Sequence, residues 1–313
     1  MADVPNYRFS GHESFPCRYV WLPKAFRSIA EDPNVFTNEE RAMVKLGVGK
    51  NMVRSIRFWV QVTGIARART RGGFERTDFG RILLKRGGLD PYLEDRRTLW
   101  LFHWQIATQV SEPLFAWDCL LNSWVSSSFS RSEVLEAFRI HSAKFGRKLS
   151  PVTLAQHFDV FLHTYVPTLG KKAEVQEDTL DCPLVELELI ARAGERNLSK
   201  SDGREPVYVF NRDRKDDVTG KLFAFCLHDY WRKCRGHEST LQLNDIVNSP
   251  YSPGRIFLLS EWDVRDRLEH LEEDSDGAFR FEETALFQRI VRVRKADEAA
   301  LLSAIYEREA IYA

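Results

Sequence analysis

The chain contains 313 residues, and its 45 Lys and Arg residues equal its 45 Asp and Glu residues, so its formal net charge is zero. A chain of this length is sufficient for two or three packed units, since domains commonly run about 100 to 200 residues. No apolar run reaches the roughly 18 residues of a spanning helix, and the first residues are too polar for a signal peptide, so we expect a cytoplasmic protein without membrane association.

The first predicted elements are an irregular or extended segment over residues 9–16 and a helix over residues 21–30. His12 and Glu13 lie in the irregular segment, and an imidazole next to a carboxylate has the groups required for acid–base chemistry. Neither a nucleophile nor a set of metal ligands accompanies the pair. We therefore expect His12 and Glu13 to hold the segment in place through hydrogen bonds, and an acid–base role for them is the alternative.

A helix, a tight turn and a second helix are predicted over residues 38–63. Asn38 is suited to cap the first helix, and Glu39 and Glu40 follow in its first turn, where the helix dipole favours negative charge. Residues 47–49 supply the turn. The second helix then carries an apolar stripe at helical spacing, which predicts its buried face. This stripe consists of Met52, Val53, Ile56, Trp59 and Val60.

The opposite face of the second helix is polar and basic. Four residues, spaced by four, three and four positions, lie on one side of the helix with an asparagine beside them. These residues are Lys50, Arg54, Arg57 and Gln61, and the asparagine is Asn51. A recognition helix presents such a face to the major groove of DNA, where asparagine and arginine side chains contact base edges.

Residues 65–77 are predicted to form two short strands around a Gly-Gly tip, which is the pattern of a wing. Arg67, Arg69 and Arg71 alternate at the period of a strand, so we expect them to project from one side of it. Together with Arg76 they would neutralise phosphates of a DNA backbone.

Charge is segregated along the chain. Residues 45–86 contain eleven Lys or Arg and two acidic residues, whereas residues 261–283 contain ten acidic residues and three Arg. Such asymmetry predicts one surface that faces nucleic acid and another that is solvated or faces a basic partner.

The predicted fold class is mainly α with small β wings. Residues 1–88 would form the amino-terminal segment and a winged helix-turn-helix, and residues 89–170 a helical middle region. Residues 171–313 would form a carboxy-terminal α+β domain, for which a winged-helix-like fold is one interpretation. The middle helices are expected over residues 92–109, 114–124, 131–145 and 152–165.

The carboxy-terminal part is predicted to repeat the winged pattern with an acidic helix, which points to protein contact. Helices are expected over residues 218–233, 241–248 and 262–271, and strands over residues 207–210, 255–259, 278–281 and 287–293. Residues 252–254 are predicted to be a turn, and residues 171–178 and 193–204 polar connectors.

No cofactor or metal is predicted. Gly47-Val48-Gly49-Lys50 lacks the further residues of a phosphate-binding loop. Cys226, His228, Cys234 and His237 include the atom types of a zinc site, but their spacing is unlike that of zinc fingers, so we interpret them as core residues. The five cysteines follow no disulfide pattern and are expected to be reduced.

Several blocks of the sequence resemble the signature of a bacterial domain-of-unknown-function family. Members of this family are found beside, or fused to, sulfurtransferases that resemble phosphoadenosine-phosphosulfate reductase, in DNA phosphorothioation and bacteriophage-exclusion loci. The resemblance covers nearly the whole chain and implies this genomic setting. The matching blocks are residues 9–15, 46–53, 55–59, 90–95, 98–104 and 252–254.

The sequence therefore predicts a non-enzymatic, DNA-binding component of a phosphorothioation-linked antiphage defence system, which guides or licenses the modification complex. Its expected partners are double-stranded DNA and the sulfurtransferase or another protein of the defence complex. The alternatives are a transcriptional regulator of the locus and a protein adaptor that docks the sulfurtransferase.

Overall fold

The computed structural model of the protein describes residues 6–146, 149–167, 182–197 and 203–307. Helices combined with small antiparallel sheets make up these residues, so the predicted mixture of helices and small β elements is confirmed. The described residues divide into two compact units, each assembled from two stretches of chain. The first unit takes its residues from 1–81 and 105–211, and the second from 82–104 and 212–313.

This division differs from the boundaries at residues 88 and 170 that the sequence predicts. Residues 82–104 fold with the carboxy-terminal part of the chain, whereas the helices after residue 105 fold with the amino-terminal part. An exchange of stretches between two units leaves no local signal in composition or periodicity, because each stretch keeps an ordinary helical pattern.

The chain begins with helices and a two-stranded ribbon at the predicted positions. These elements are α1 (Trp21–Glu31), α2 (Glu39–Leu46), α3 (Lys50–Val62), β1 (Ala66–Ala68), β2 (Phe74–Arg76) and α4 (Asp78–Leu84). The side chain of Asn38 caps α2 by accepting a hydrogen bond of 2.9 Å from the backbone nitrogen of Arg41. Gly47 ends α2 in the left-handed conformation with φ of 61°, which glycine adopts without steric cost.

The ribbon of β1 and β2 is attached to the loop between α1 and α2. The backbone nitrogen of Phe74 donates a hydrogen bond of 2.7 Å to the carbonyl oxygen of Pro33. A Cβ atom on the preceding Gly73 would lie 2.8 Å from that same oxygen. Only glycine permits this approach, so the ribbon is fixed against the loop at its tip end.

Four further helical elements follow. They are α5 (Arg96–Ala107), α6 (Phe115–Trp117), which continues as a π-helical segment (Asp118–Ser123), α7 (Arg131–Lys144) and α8 (Pro151–Tyr165). Ser130 and Ser150 cap α7 and α8 as the sequence predicts. The start of α5 lies four residues later than predicted, because the Asp90 side chain accepts hydrogen bonds from the backbone nitrogens of Glu94 and Asp95 and thereby holds a non-helical turn.

The first unit also contains a three-stranded antiparallel sheet with the order β3-β5-β4. Its strands are β3 (Ser128–Ser130), β4 (Ile190–Asn197) and β5 (Arg204–Phe210). The prediction of a polar connector over residues 193–204 is wrong for the part that forms β4. Most side chains of β4 are exposed, so its pairing depends on backbone hydrogen bonds, which a hydrophobicity pattern does not report. The connector predicted over residues 171–178 lies outside the described residues.

The second unit combines helices with a sheet of order β6-β8-β7. Its elements after residue 212 are α9 (Gly220–Cys234), β6 (Thr240–Gln242), α10 (Leu243–Asn248), α11 (Pro253–Ile256), α12 (Glu261–Glu269), α13 (Leu271–Asp274), β7 (Phe279–Glu283), β8 (Gln288–Arg292) and α14 (Glu298–Ala304). The predicted turn at residues 252–254 and strand at 255–259 are wrong. Ser252 instead caps the single turn of α11, with Pro253 at its first position.

The largest fully buried side chains of both cores are aromatic. In the first unit the Trp59 ring packs edge-on to Trp117 at 6.2 Å between centroids. In the second unit Trp231 and Phe279 stack at 5.7 Å. His103 is buried among aromatic rings, and its Nε2 atom donates a hydrogen bond of 3.0 Å to the carbonyl oxygen of Ile256, as expected for a core histidine. All five cysteines are free thiols, and four of them are buried.

Candidate nucleic-acid interface

The orientation of α3 is set by its buried face. Trp59 is fully buried, and its indole nitrogen donates a hydrogen bond of 3.0 Å to the carbonyl oxygen of Phe15. Ser55 contacts the same oxygen at 3.4 Å. Because this face is anchored, the polar residues on the opposite side are directed outward. Lys50, Asn51 and Arg57 are exposed, and Arg54 and Gln61 are partly exposed.

Glu39 of α2 lies between two of the predicted DNA-binding cations. Its carboxylate accepts hydrogen bonds of 2.6 and 3.3 Å from the guanidinium of Arg54, and it forms an ion pair of 3.1 Å with the Lys50 amine. These hydrogen bonds lower the pKa of Glu39 to about 2. Sequence reasoning assigned Glu39 only to the helix dipole and missed this role, which only the approach of α2 to α3 creates.

Arg57 has no acidic partner or hydrogen-bond acceptor for its guanidinium within the described residues. Its backbone carbonyl accepts a hydrogen bond of 2.8 Å from the side chain of Gln61. Arg57 is therefore the cation of α3 that is most available to an external anion. Asn51 is exposed beside the first turn of the same helix.

The ribbon carries a second carboxylate between cations. Arg67 and Glu75 are cross-strand neighbours, and they form an ion pair of 2.5 Å. Arg69 lies 3.7 Å from the other oxygen of the same carboxylate. The hydrogen bond and the nearby guanidinium of Arg67 lower the pKa of Glu75. Two of the wing arginines are thus held together by one carboxylate.

The predicted alternation of three arginines along one strand is wrong for Arg71. Strand β1 ends at Ala68, and the backbone nitrogen of Arg69 already bonds the carbonyl of Gly73 across the tip. Arg71 consequently lies in the hairpin tip, where it is exposed and has no ionic partner within the described residues. The Gly-rich tip shortens the strand, because both of its glycines have positive φ.

Arg76 faces the other side of the ribbon. In the strand register Arg76 pairs with Ala66, and the Arg67–Glu75 pair lies between this pair and the Ala68–Phe74 pair. Side chains alternate between faces along a strand. The guanidinium of Arg76 lies 4.9 Å from the centroid of the buried Phe26 ring. Arg76 therefore does not share a surface with Arg67, and we omit it from the candidate interface.

The candidate interface is hereafter the exposed side of α3 together with the outer face and tip of the ribbon. It consists of Lys50, Asn51, Arg54, Arg57, Gln61, Arg67, Arg69 and Arg71. Helix α3 contacts β1 directly, and both belong to the first unit. Glu39 and Glu75 each lie between two of its cations, so each carboxylate offsets one positive charge of its pair.

The acidic stretch over residues 261–283 is partly neutralised in the folded chain. Arg214, Arg289 and Arg294 lie outside the stretch and form ion pairs with three of its carboxylates. Arg265, Arg267 and Arg280 pair with others from within it. Most of the acids thus lie in ion pairs, which reduces the long-range field of the stretch without reversing its sign.

His12 and Glu13 are placed by contacts within the first unit. His12 is buried, and its Nε2 atom lies 3.4 Å from Nδ1 of His157, whose other ring nitrogen hydrogen-bonds the carbonyl of Phe9. The carbonyl of Glu13 accepts a hydrogen bond from the side chain of Gln156. Burial, together with the proximity of His157, lowers the pKa of His12 to about 3. Such an imidazole remains neutral at physiological pH.

Sequence comparison assigns the chain to a family. The model of a family described as "Protein of unknown function (DUF4007)" matches residues 9–306. The chain belongs to the DUF4007 family. The prediction that it is a member of a domain-of-unknown-function family is therefore confirmed. No curated protein matches the chain.

Two solved structures have a similar fold. A magnesium ion-bound crystal structure of SspB superposes with a TM-score of 0.77 at 23% sequence identity, and covers 94% of this chain and 85% of SspB. A second crystal structure of SspB has the same TM-score and coverage at 24% identity. At this identity the similarity concerns the fold.

Two further properties of the described residues bear on predicted partners. None of their helices has both the length and the apolar character needed to cross a bilayer. Within the same residues, no group of three or more His, Cys, Asp and Glu side chains could hold a metal ion.

Proposed function

We propose that this protein is a DNA-binding component, without catalytic activity of its own, of a DNA phosphorothioation-linked antiphage defence system. It guides or licenses the modification complex on double-stranded DNA, in the cytoplasm. The genomic setting in this proposal comes from the family resemblance of the sequence, and the contact with DNA comes from the candidate interface.

A winged helix-turn-helix formed by α1, α2, α3 and the ribbon is the fold that this proposal requires. The order of the elements supports it, as does the hydrogen bond from Phe74 to the carbonyl of Pro33, since the segment between the first two helices of a winged helix borders the wing. In such a fold α3 is the recognition helix.

The observation that carries the proposal is the exposed position of Arg57 and Arg71, on α3 and at the ribbon tip, without internal ionic partners among the described residues. Arg71 would contact a phosphate, and Arg57 with Asn51 would contact base edges. The cations that pair with Glu39 and Glu75 would add phosphate contacts by exchanging these carboxylates for phosphate oxygens. They are Lys50, Arg54, Arg67 and Arg69. Because surface ion pairs are weak, typically about 0 to 1 kcal/mol, this exchange has a small cost.

Fluorescence anisotropy with a labelled duplex tests the proposal. With about four to six phosphates neutralised, the logarithm of affinity should fall against the logarithm of salt with a slope of roughly minus four to minus five. The double variant Arg57→Ala, Arg71→Ala should bind at least about tenfold more weakly, since each lost contact to DNA costs about 1 kcal/mol or more. Arg139→Ala is the control, because Arg139 is an exposed arginine on α7 of the same unit.

A protein adaptor is the second candidate, and the two carboxylate-bridged cation pairs favour it. At Glu39 and at Glu75 a carboxylate lies between two cations. A protein partner can place an opposite charge against each of these groups. Absence of duplex binding at low salt would replace the DNA-binding proposal with this one. A strong preference for one promoter sequence over an unrelated duplex would instead support a transcriptional regulator of the locus.

A further inference from the structure

A cavity of about 720 Å³ lies in the second unit, remote in sequence from the candidate interface. Its walls come from α9, from the sheet strands β7 and β8, and from the segment that joins β8 to α14. Cations outnumber acids among the residues that line it. The lining cations are Arg232, Arg292, Arg294 and Lys295, and the lining acids are Asp297 and Glu298.

The acids of the cavity are already engaged. Asp297 caps α14, where its carboxylate accepts hydrogen bonds of 2.9 and 3.2 Å from the backbone nitrogens of Ala299 and Ala300. Glu298 lies 3.8 Å from Arg232, which also pairs at 2.6 Å with the buried Asp229. Glu298 is thus shared with Arg232, whereas Asp297 keeps its negative charge while it caps α14.

Two of those cations have no partner of opposite charge. Arg294 pairs with Asp276, but neither Arg292 nor Lys295 forms an ion pair or a side-chain hydrogen bond with any described residue. Both side chains are exposed to the cavity and to solvent. A guanidinium has five N–H donors and an ammonium has three, so Arg292 and Lys295 present donors to the cavity that no described side chain accepts.

The guanidinium of Arg292 is oriented by aromatic contact. Its central carbon lies 4.3 Å from the centroid of the Trp231 ring, which is itself stacked on Phe279. Phe279 and Arg292 are cross-strand neighbours on β7 and β8, so both point toward α9. The ring contact restricts the guanidinium while its N–H groups stay available, and an arginine held in this way suits bidentate binding of a phosphate or carboxylate.

We propose that this cavity binds a phosphate group through Arg292 and Lys295. Two positive charges match a phosphate that carries up to two negative charges, and the planar fork of arginine fits two phosphate oxygens. The volume exceeds that of one phosphate, so the cavity has room for a phosphate ester. That ester is either a free nucleotide or a phosphate of a nucleic-acid backbone.

Isothermal titration calorimetry of the full chain with inorganic phosphate and with adenosine monophosphate, at constant ionic strength, tests the site. We expect saturable binding of at least one probe, weakened at least tenfold by the double variant Arg292→Gln, Lys295→Gln. Arg280→Gln on the neighbouring strand is the matched control, since Arg280 is exposed and paired with Glu272 at 2.8 Å. Because Arg292 packs on Trp231, the single variant Lys295→Gln, at an exposed position, is measured as well and should bind at least threefold more weakly.

The proposal is overturned if wild type and both variants bind the probes with equal affinity. It is also overturned if neither the probes nor duplex DNA bind saturably at this site. Duplex affinity of the same variants identifies the source of the phosphate: a reduction indicates a backbone phosphate, and an unchanged value with lost nucleotide binding indicates a free nucleotide. The proposal is independent of the candidate interface, because the Arg57→Ala, Arg71→Ala variant should retain binding of the small probes.

Discussion

Glu39 holds Arg54 through two hydrogen bonds, of 2.6 and 3.3 Å, on the side of α3 that is proposed to contact DNA. The same carboxylate also pairs with Lys50. An acidic residue thus occupies the position that a phosphate would take. Glu39 holds the two cations in place in the free protein, and its negative charge would repel the phosphates of DNA.

Replacing this carboxylate should therefore strengthen DNA binding. For Glu39→Gln we expect duplex affinity at low salt to rise roughly twofold to tenfold, since one repulsive charge is removed and two weakly paired cations are released. The salt slope should become steeper. Fluorescence anisotropy measures both quantities. Glu136→Gln, which removes a comparable exposed pair with Arg139 on α7, should leave affinity unchanged, and an unchanged affinity for Glu39→Gln would count against direct contact by α3.

Arg76 should matter for stability more than for DNA. Its guanidinium lies over the buried Phe26 ring on the inner face of the ribbon, so Arg76→Ala is expected to lower the free energy of unfolding by roughly 0.5 to 1 kcal/mol. Duplex affinity should stay within about twofold of wild type, because surface charges remote from the contact are weakly coupled to it. A loss of affinity equal to that of Arg57→Ala would return Arg76 to the interface.

The two glycines of the ribbon tip should respond differently to alanine. At Gly73 a Cβ atom would lie 2.6 Å from Oδ1 of Asn34 and 2.8 Å from the carbonyl oxygen of Pro33, at φ of 75°. Gly72 also has positive φ, 88°, but its Cβ atom would meet nothing within 4 Å. We expect Gly73→Ala to destabilise the protein by about 2 to 3 kcal/mol and Gly72→Ala by about 1 kcal/mol. Chemical denaturation measures the difference, and equal effects would show that the ribbon is not held against the loop.

Stability should decrease in mild acid because of buried neutral histidines. Burial lowers the pKa of His103 from 6.5 to about 4, against the opposing effect of its hydrogen bond to Ile256. Below about pH 6.5 the unfolded chain binds more protons than the folded one, so this contribution to stability is complete above that pH and is lost progressively as the pH falls toward 4. At about pH 5 the single group should lower the free energy of unfolding by about 2 kcal/mol.

Denaturant unfolding at several pH values between about 7.5 and 5 measures this effect. His103→Gln keeps a donor for the carbonyl of Ile256 but does not titrate, so its stability should vary less with pH than that of wild type. An identical pH dependence in the variant would assign the acid sensitivity to other groups, such as His12, whose pKa is lowered to about 3.

Much of the local structure could be predicted because its causes are local. The apolar period of α3, the cap at Asn38 and the left-handed Gly47 depend on neighbours within one or two turns. Element positions over residues 21–84 accordingly agree with the prediction. Strand β4 was not predicted, because its side chains are largely exposed and only its pairing with β5 makes it a strand.

The sequence by itself determined the family, the order of helices and hairpins in the first 84 residues and the set of side chains available to the candidate interface. Tertiary structure alone decided how those side chains are used. Glu39 pairs with both Lys50 and Arg54, and the register of the ribbon directs Arg76 away from Arg67. The physical reason is that periodicity and capping act over a few residues of chain, whereas Coulomb attraction and packing depend on distances in space that only the folded chain establishes.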